Sequence, residues 1–246
     1  MLDFLRSNAP ARRAYYRLKM LRGVHGQSDE TRILANLTKD APKTFVEFGF
    51  HPVQFNCAAL ARDAGWRGLL IDGSQRQVDD ARAIFPERIE IEQRFLTLDN
   101  LDFIAAKFPS LGVLSIDVDG NDFWFLERLI GIQPTVISVE YNASFGANSV
   151  TVPYDPTFDR HAKHPSGWYH GASLTALAKL CAKSGYGLAA VSSAGGNAFF
   201  TKTGALDPAV SWRPSKLRDT WSGTTPASQW EAIKHLPFVA IESEPA

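Results

Sequence analysis

The segment FVEFGF, residues 45–50, decides the fold together with GLLIDGS (68–74) and VLSIDVDGND (113–122). Each segment is a short apolar run that reaches an acidic residue and a glycine, and stretches with helical spacing of apolar residues separate the three. Short buried strands that alternate with helices are typical of a parallel sheet covered on both faces. We therefore expect an α/β fold.

The same alternation extends outward in both directions. It predicts strands at 44–50, 68–72, 89–92, 113–117 and 135–141, with helices at 55–64, 75–84, 98–108 and 123–130 between them. A further helix at 172–184 precedes two short runs, 187–191 and 198–201, which a glycine-rich turn joins as a hairpin. We expect a Rossmann-like three-layer sandwich, with a mostly parallel seven-stranded sheet and an antiparallel hairpin at one edge.

Two regions flank this core, so we divide the chain into residues 1–40, 41–203 and 204–246. The first is expected to be an N-terminal helical cap, in which the spacing of Tyr15, Leu18 and Leu21 predicts a buried face. Residues 41–203 are the Rossmann-like domain. Residues 204–246, rich in Pro, Ser and Thr, are expected to form an irregular C-terminal tail packed on that domain.

Composition and charge exclude several classes of protein. The 246 residues include 26 Lys or Arg and 26 Asp or Glu, so no basic field would attract nucleic acid. Cys57 and Cys181 lie far apart in apolar stretches, which favours buried thiols over a disulfide or zinc site. The sequence has neither the apolar core of a signal peptide nor an apolar run of about 18 residues, which predicts a cytoplasmic protein without membrane insertion.

Four of the predicted strands end in a carboxylate. These residues are Glu47, Asp72, Asp117 and Glu140. In an open parallel sheet, ligands bind beyond the carboxyl ends of the strands. Clustered like charges repel one another unless a ligand, a metal or hydrogen bonds offset them. We therefore expect the ligand site at this edge of the sheet.

The first two strand ends restrict the ligand. Asp72 has the placement of an acid that binds both hydroxyls of a nucleotide ribose, although it could instead cap the helix that begins near Gln75. Gly49 lets the backbone pass close to a ligand. The bulky FHP that follows at 50–52 disfavours the pyrophosphate of a dinucleotide and is compatible with a ligand that lacks phosphates.

Taken together, these motifs resemble class I S-adenosylmethionine-dependent methyltransferases, specifically the FkbM-type branch that methylates hydroxyls. The resemblance covers about residues 44–201 and includes ISVEYN (137–142), YHGASLTALAKL (169–180) and NAFF (197–200). It implies S-adenosylmethionine as the cofactor and a hydroxyl of a sugar or polyketide-like small molecule as the acceptor. The oligomeric state stays open.

The resemblance also implies the cofactor-binding residues. Glu47 and Gly49 would contact the methionine part of the cofactor, and Asp72 would bind its ribose. Arg94 and Phe95 would contact the adenine, and Asp117 would lie at the junction between cofactor and acceptor. Phe50 and Gly73 are their neighbours in the same turns and would also contact the cofactor.

The end of the fourth strand allows a metal as well. Metal-dependent O-methyltransferases of this fold take ligands from the ends of the fourth and fifth strands, which implies that Asp117, Glu140 and Asn142 could bind Mg2+. The alternative is a turn in which the side chains of DGND (119–122) bond the local backbone and start the next helix.

An acceptor hydroxyl must lose its proton, and the candidate bases are Asp119, Asp122, Glu140 and His170. His170 lies near the end of a long loop, 142–171, which we expect to cover the acceptor. Two other functions stay open. One is a metal-dependent nucleotide-sugar glycosyltransferase with a metal–diphosphate at residues 117–119, and the other is a non-catalytic binding module of the same fold.

Overall fold

The acid-ended segments form neighbouring strands of one central sheet. The structure is a computed structural model that describes residues 7–23 and 28–242. Its strands are β1 Thr44–Phe48, β2 Arg67–Asp72, β3 Ile89–Gln93, β4 Val113–Ile116, β5 Val136–Glu140, β6 Val150–Thr151, β7 Gly187–Val191, β8 Asn197–Thr201 and β9 Val239–Ala240. The central sheet has the order β3-β2-β1-β4-β5-β8-β7.

The pairing confirms the predicted fold class. Strands β1 to β5 are mutually parallel, and β8 joins them antiparallel, between β5 and β7. The chain therefore forms a mostly parallel seven-stranded sheet with an antiparallel hairpin at one edge. The strands β2 and β3 are added on one side of β1, and β4 and β5 on its other side. The gap between β1 and β4 is therefore the topological switch point, where α/β sheets place their ligands.

Helices cover both faces of the sheet. They are α1 Ala9–Leu21, α2 Glu30–Leu37, α3 Ala58–Arg62, α4 Gln75–Arg82, α5 Phe103–Lys107, α6 Asp122–Leu129, α7 Arg160–Lys163, α8 Leu174–Lys183, α9 Pro208–Ser211, α10 Lys216–Ser222 and α11 Pro226–Ile233. Short 3-10 helices lie at Leu98–Asn100, Ile130–Ile132 and Ala143–Phe145. Within the described ranges, no helix is long and apolar enough to cross a membrane.

Two hydrophobic cores lie on opposite faces of the sheet because alternate side chains of a strand point to opposite faces. On β1, Val46 packs in the core that also contains Phe125 of α6 and Leu177 of α8. Its neighbour Phe45 packs in the core with Val78 of α4. Three layers result, as the sequence predicts.

The buried face of the first helix differs from the prediction. Tyr15, Leu18 and Leu21 are exposed, Leu21 to 77%. The helix instead turns Tyr16 and Met20 toward the domain. The reason is electrostatic, because Arg12 and Arg13 of α1 both pair with Asp80 of α4, at 2.5 and 2.9 Å. The periodicity marks an apolar stripe, but this buried ion pair orients the helix.

The predicted irregular tail is wrong in its secondary structure. Residues after 204 include the helices α9, α10 and α11 and the strand β9, which pairs with β6. The prolines that suggested irregular chain, Pro208 and Pro226, occupy the first turns of α9 and α11, where a missing N–H costs nothing. Trp230 and Phe238 pack against Phe145 of the long loop, which fixes the tail on the domain.

Candidate active site

A cavity of about 1010 Å³ opens at the carboxyl ends of β1, β2, β4 and β5. A narrower pocket of about 200 Å³ adjoins it. The two share Gly49, Asp72, Asp117 and Asp119 as lining residues. They therefore form one continuous site, at the edge of the sheet where the sequence predicts it.

The narrower pocket brings together the residues expected at an adenine and ribose. Gly73, Arg94 and Phe95 line it, and Phe158 of the long loop closes the other side. Arg94 is fixed by the ring of Phe103, whose centroid lies 4.0 Å from the guanidinium carbon. The pocket thus has exposed aromatic surface beside a carboxylate, that of Asp72.

Asp72 orders its turn and also faces both pockets. Its Oδ1 accepts a hydrogen bond from the N–H of Ser74 at 2.6 Å, and its Oδ2 accepts one from the N–H of Phe50 at 3.1 Å. Burial raises the pKa of Asp72, although these two backbone donors oppose the rise. Ser74 rather than Asp72 caps α4, through a bond to the N–H of Gln77. Each carboxylate oxygen retains a further acceptor site toward the cavity.

Gly49 is required by a close approach of the backbone after β1 to the end of β4. Its φ is +69°, and a Cβ built there would lie 1.6 Å from the carbonyl oxygen of Asp117. The glycine therefore allows the chain after β1 to pass the end of β4, and it also lines both pockets, where a ligand contact is predicted. Phe50, which follows it, is buried and lines the larger cavity.

Glu47 is a structural residue in this fold. It is 1% exposed, and its two oxygens accept hydrogen bonds from the N–H groups of Asn56 and Cys57, both at 2.8 Å. Burial raises its pKa to about 7, against the effect of these donors. Glu47 lines neither pocket, although a cofactor contact is predicted for it, because the carboxylate instead holds the chain that leads into α3.

Asp122 confirms the turn interpretation of the DGND motif. Its oxygens accept hydrogen bonds from the N–H groups of Val118 and Gly120, each at 2.9 Å. The side chain is completely buried, and burial raises its pKa to about 6. Asp122 therefore shapes the turn and cannot contact an acceptor as the predicted base.

Asp119 lies at the tip of the turn that Asp122 holds. Its φ of +56° is uncommon for a residue other than glycine, and such backbone clusters at functional sites. The carboxylate is exposed, lines both pockets and forms an ion pair with Arg160 of α7. The turn thus projects this predicted base into the site, where it is already paired with a cation.

Asp117 and Glu140 also face the cavity, but among the described residues neither forms an ion pair with an arginine as Asp119 does. Burial, followed by the charge of Glu140, raises the pKa of Asp117 well above its usual range. Burial and the charges of Asp119 and Asp122 raise the pKa of Glu140 to about 8, while Arg218 and Arg160 oppose the rise. The Oε2 of Glu140 is buried and has no hydrogen-bond partner in the part of the chain that the structure describes. Burial and the neighbouring negative charges therefore make ionisation of these two carboxylates unfavourable.

His170 lies behind Glu140 and is fully buried. Its Nε2 lies 2.9 Å from Nη2 of Arg218, and its Nδ1 lies 3.8 Å from Oε2 of Glu140. Burial, with nearby Arg160 and Arg218, lowers its pKa well below the usual range. The prediction that His170 acts as a base on the acceptor is therefore corrected, because the ring does not reach the surface of the cavity.

The long loop and the tail supply the rest of the larger cavity. Arg160, His161 and Trp168 come from the loop, which is predicted to cover the acceptor. Residues 215–222 line the opposite side, including Arg218 and Trp221. This contribution of the C-terminal tail to the cavity was not predicted from the sequence. The signal available was the Ser-capped segment SKLRDTWS (215–222), which places a basic and an aromatic residue on one short helix.

The residues do not fit the expected magnesium site. Asn142 is saturated, because its Nδ2 donates to the carbonyls of Trp168 and His170 and its Oδ1 accepts from the N–H of Ser144 and from Arg218. It therefore offers no ligand atom beside Asp117 and Glu140.

A second group of ligand atoms lies nearby. In the described residues, atoms of Asp119, Glu140 and His170 lie within 4.8 Å of one another. Arg218 can only donate, so Nε2 of the neutral His170 ring accepts and Nδ1, which faces the acids, carries the proton. A protonated nitrogen cannot bind a metal, and Asp119 is already paired with Arg160.

Comparison with known proteins gives neither a matching family model nor a matching curated protein. Similar solved structures exist. The N-terminal domain of EvdMO1, determined in the presence of SAH and D-fucose, is 16% identical, covering 70% of this chain and 79% of that chain at a TM-score of 0.46. The methyltransferase domain of bacterial CtHen1-C is 17% identical, and the match covers 72% of this chain and 99% of that chain at a TM-score of 0.47.

A third similar structure is an O-methyltransferase family protein from Burkholderia thailandensis, which is 12% identical, covering 72% of this chain and 56% of that chain at a TM-score of 0.44. Because all three similarities are distant, the chemistry of the site itself has to identify the function.

Proposed function

We propose that this protein is an S-adenosylmethionine-dependent O-methyltransferase that acts on a hydroxyl of a small molecule of the sugar or polyketide type. One observation carries the proposal. A narrow pocket with aromatic surface and the Asp72 carboxylate adjoins a cavity lined by the half-buried carboxylates of Asp117 and Glu140, whose pKa values are raised by burial and neighbouring negative charges. When bound, the cofactor supplies a methyl group carried on a positively charged sulfonium.

The narrow pocket suits the adenosine part of such a cofactor. Asp72 can accept hydrogen bonds from both ribose hydroxyls while it keeps its backbone bonds, since each carboxylate oxygen has two lone pairs. Phe95 and Phe158 offer aromatic surface to a base. These residues would bind and orient the nucleoside.

The larger cavity suits a positive charge. A cation placed beside Asp117 and Glu140 would favour their ionised forms and reduce their mutual repulsion. A diphosphate would add negative charge to the same place. The first turn also lacks a glycine-rich phosphate loop, because Phe50, His51 and Pro52 follow Gly49. Both features favour methyl transfer over a nucleotide-sugar glycosyltransferase.

Glu140 is the base that the geometry supports best. It lines the cavity, and a pKa of about 8 is close to the pH at which a general base is most effective. Among the predicted bases, His170 and Asp122 are buried and Asp119 is paired with Arg160. Glu140 would take the proton of the acceptor hydroxyl, and the cavity walls would hold that hydroxyl in line.

The rim of the cavity supports a sugar-like acceptor. Trp221 of α10 lines the cavity yet is 80% exposed, and Leu217 lies one helical turn before it on the same side. Carbohydrates combine apolar C–H faces with hydroxyls, so an exposed indole beside polar side chains is suited to bind one.

The test is methyl transfer from S-adenosylmethionine labelled in its methyl group to a panel of sugars, sugar nucleotides and polyketide-like alcohols. We expect label in an acceptor together with an equal amount of SAH, and loss of both products in Glu140→Gln. Parallel titrations with SAH and with a uridine diphosphate sugar separate the alternatives. Binding of the sugar nucleotide alone would identify a glycosyltransferase, and SAH binding without transfer to any acceptor would favour a binding module.

A further inference from the structure

Three residues from distant parts of the chain form a line that ends at the proposed base. Arg218 belongs to α10, His170 precedes α8, and Glu140 ends β5. The distance from Arg218 Nη2 to His170 Nε2 is 2.9 Å, and that from His170 Nδ1 to Glu140 Oε2 is 3.8 Å. The imidazole thus has one nitrogen toward a guanidinium and the other toward a carboxylate.

The guanidinium determines which nitrogen of His170 carries the proton. An arginine side chain has only donors, so the nitrogen that faces it must accept. Nε2 is therefore the unprotonated nitrogen, and in a neutral ring Nδ1 carries the hydrogen. The ring is neutral because it is fully buried beside two arginines, which lower its pKa well below the usual range.

The protonated nitrogen faces an oxygen that lacks a partner. Among the described residues, neither Nδ1 of His170 nor Oε2 of Glu140 has a hydrogen-bond partner, and both atoms are buried. Buried polar atoms rarely lack partners in native structures. Their separation of 3.8 Å is longer than a hydrogen bond, and catalytic hydrogen bonds are often long before ligands bind. A small rotation of Glu140 would pair the two atoms.

Arg218 is itself held in place. Its Nη1 donates to Oδ1 of Asn142 at 2.6 Å and to Oγ of Ser144 at 2.8 Å. Ser144 in turn donates to Gln229 of α11 at 2.6 Å, and Gln229 donates to Asp219 of α10. The guanidinium cannot rotate away from His170 without breaking these buried bonds, so the tail fixes the direction of its Nη2.

We propose that Arg218 is a positioning residue that fixes His170 as the Nδ1–H tautomer and so directs an N–H donor at Oε2 of Glu140. Glu140 lines the cavity while its Oε2 is buried, which leaves Oε1 to face the acceptor. The proposal rests on the proposed function only for the role of Glu140 as a base. The tautomer follows from the geometry alone.

Nitrogen NMR of the histidine rings tests the tautomer directly in the full chain without ligands. With 15N-labelled histidine at neutral pH, we expect the signals of His170, assigned by their loss in His170→Gln, to show a protonated Nδ1 and an unprotonated Nε2. A ring protonated on Nε2, or on both nitrogens, would overturn the proposal even if the protein proves to transfer methyl groups. The expected tautomer in a protein that fails to bind SAH would instead leave the proposal standing and reject the proposed function.

Variants of Arg218 test its role. In Arg218→Met we expect the Nδ1–H preference to be lost, and in Arg218→Lys, which keeps a donor, we expect it to be partly retained. The control is Arg213→Met, since Arg213 is an exposed arginine of the same tail that bonds backbone carbonyls. An unchanged tautomer in a folded Arg218→Met variant would contradict the proposal. If that variant does not fold, Arg218→Lys and the unmodified chain still decide it.

Activity provides the second readout. Once an acceptor is known, Arg218→Met should lower kcat about tenfold or more while the Kd for SAH stays unchanged, because the residue acts through the base rather than on the cofactor. Arg218→Lys should restore part of kcat. An equal loss of kcat and of SAH affinity would indicate general damage to the site and would contradict positioning.

Discussion

The carboxylates at the strand ends and in the turn after β4 divide into two kinds that differ in their hydrogen bonds. Glu47 and Asp122 each accept two backbone N–H groups and are sealed within their turns. Asp117 and Glu140 lie beside the cavity, where burial and neighbouring negative charges raise their pKa values. Backbone donors thus turn an acid into a structural residue, while their absence leaves an acid available for chemistry.

We expect the two kinds of acid to differ most in their effect on activity. Glu140→Gln should lower kcat for methyl transfer by about 10²- to 10⁴-fold, because the amide cannot take the proton of the acceptor. Glu47→Gln, the same change at the structural acid, should keep kcat within a few-fold. Steady-state kinetics on both folded variants test this, and similar losses in the two would erase the distinction.

Asp72 sharpens the comparison because it combines both kinds of role. It accepts two backbone N–H groups and also lines both pockets. Asp72→Asn should weaken SAH binding by about 1.5–3 kcal/mol, or roughly 10- to 150-fold in Kd, through the loss of charge-assisted bonds to the ribose. Calorimetric titration measures this, with Asp79→Asn of α4 as a control. Equal affinity of Asp72→Asn and the unmodified chain would show that Asp72 serves only its turn.

The structural acids should dominate stability instead. Glu47→Gln places an amide NH₂ against one of two buried backbone N–H groups, and we expect the free energy of unfolding to fall by about 1–3 kcal/mol. Glu140→Gln removes a carboxylate whose ionised form is disfavoured by burial and neighbouring acids, so it should leave stability unchanged or raise it. Denaturant unfolding of both variants at pH 8 measures the difference. A larger loss in Glu140→Gln than in Glu47→Gln would reverse the assignment.

The raised pKa values predict a pH dependence of stability of definite sign. Folding moves the pKa of Glu140 from 4.5 to about 8 and that of Glu47 from 4.5 to about 7. Between pH 4.5 and about pH 8, the folded state keeps protons that the unfolded state has released. The free energy of unfolding therefore falls as pH rises over this range.

Glu140→Gln should reduce that slope, most clearly above pH 7, which is above the pKa of Glu47 and below that of Glu140. Thermal unfolding in a series of buffers gives the measurement, and about 2–4 °C in Tm corresponds to 1 kcal/mol for a chain of this size. Stability that increases with pH over this range, or a slope that Glu140→Gln leaves intact, would contradict the account.

The sequence predicted the elements whose signals are local. The acid-ended strands, the hairpin at the edge and the placement of Asp72, Arg94 and Phe95 at one pocket follow from periodicity and topology, together with the family resemblance. The DGND turn is also local, since Asp122 bonds groups two and four residues away.

What escaped prediction depends on contacts between distant residues. The face of α1 is set by the pairing of Arg12 with Asp80, 68 residues away. Arg218 reaches the site because α10 and α11 dock on the loop after β5, a contact that no spacing in the tail specifies. Glu47 could not be distinguished from Asp117 and Glu140 in sequence, since its side chain alone does not show that the N–H groups of Asn56 and Cys57 surround it.

The most direct measurement of the central claim is the structure of the protein crystallised with S-adenosylhomocysteine. We expect the ribose hydroxyls to bind the carboxylate of Asp72 and the adenine to pack against Phe95. The homocysteine sulfur should lie in the larger cavity, toward Asp117 and Glu140. Glu47 should still accept hydrogen bonds from its two backbone N–H groups. Ligand density elsewhere, or a ligand that draws Glu47 out of its turn and leaves Asp117 and Glu140 without contact, would contradict that claim.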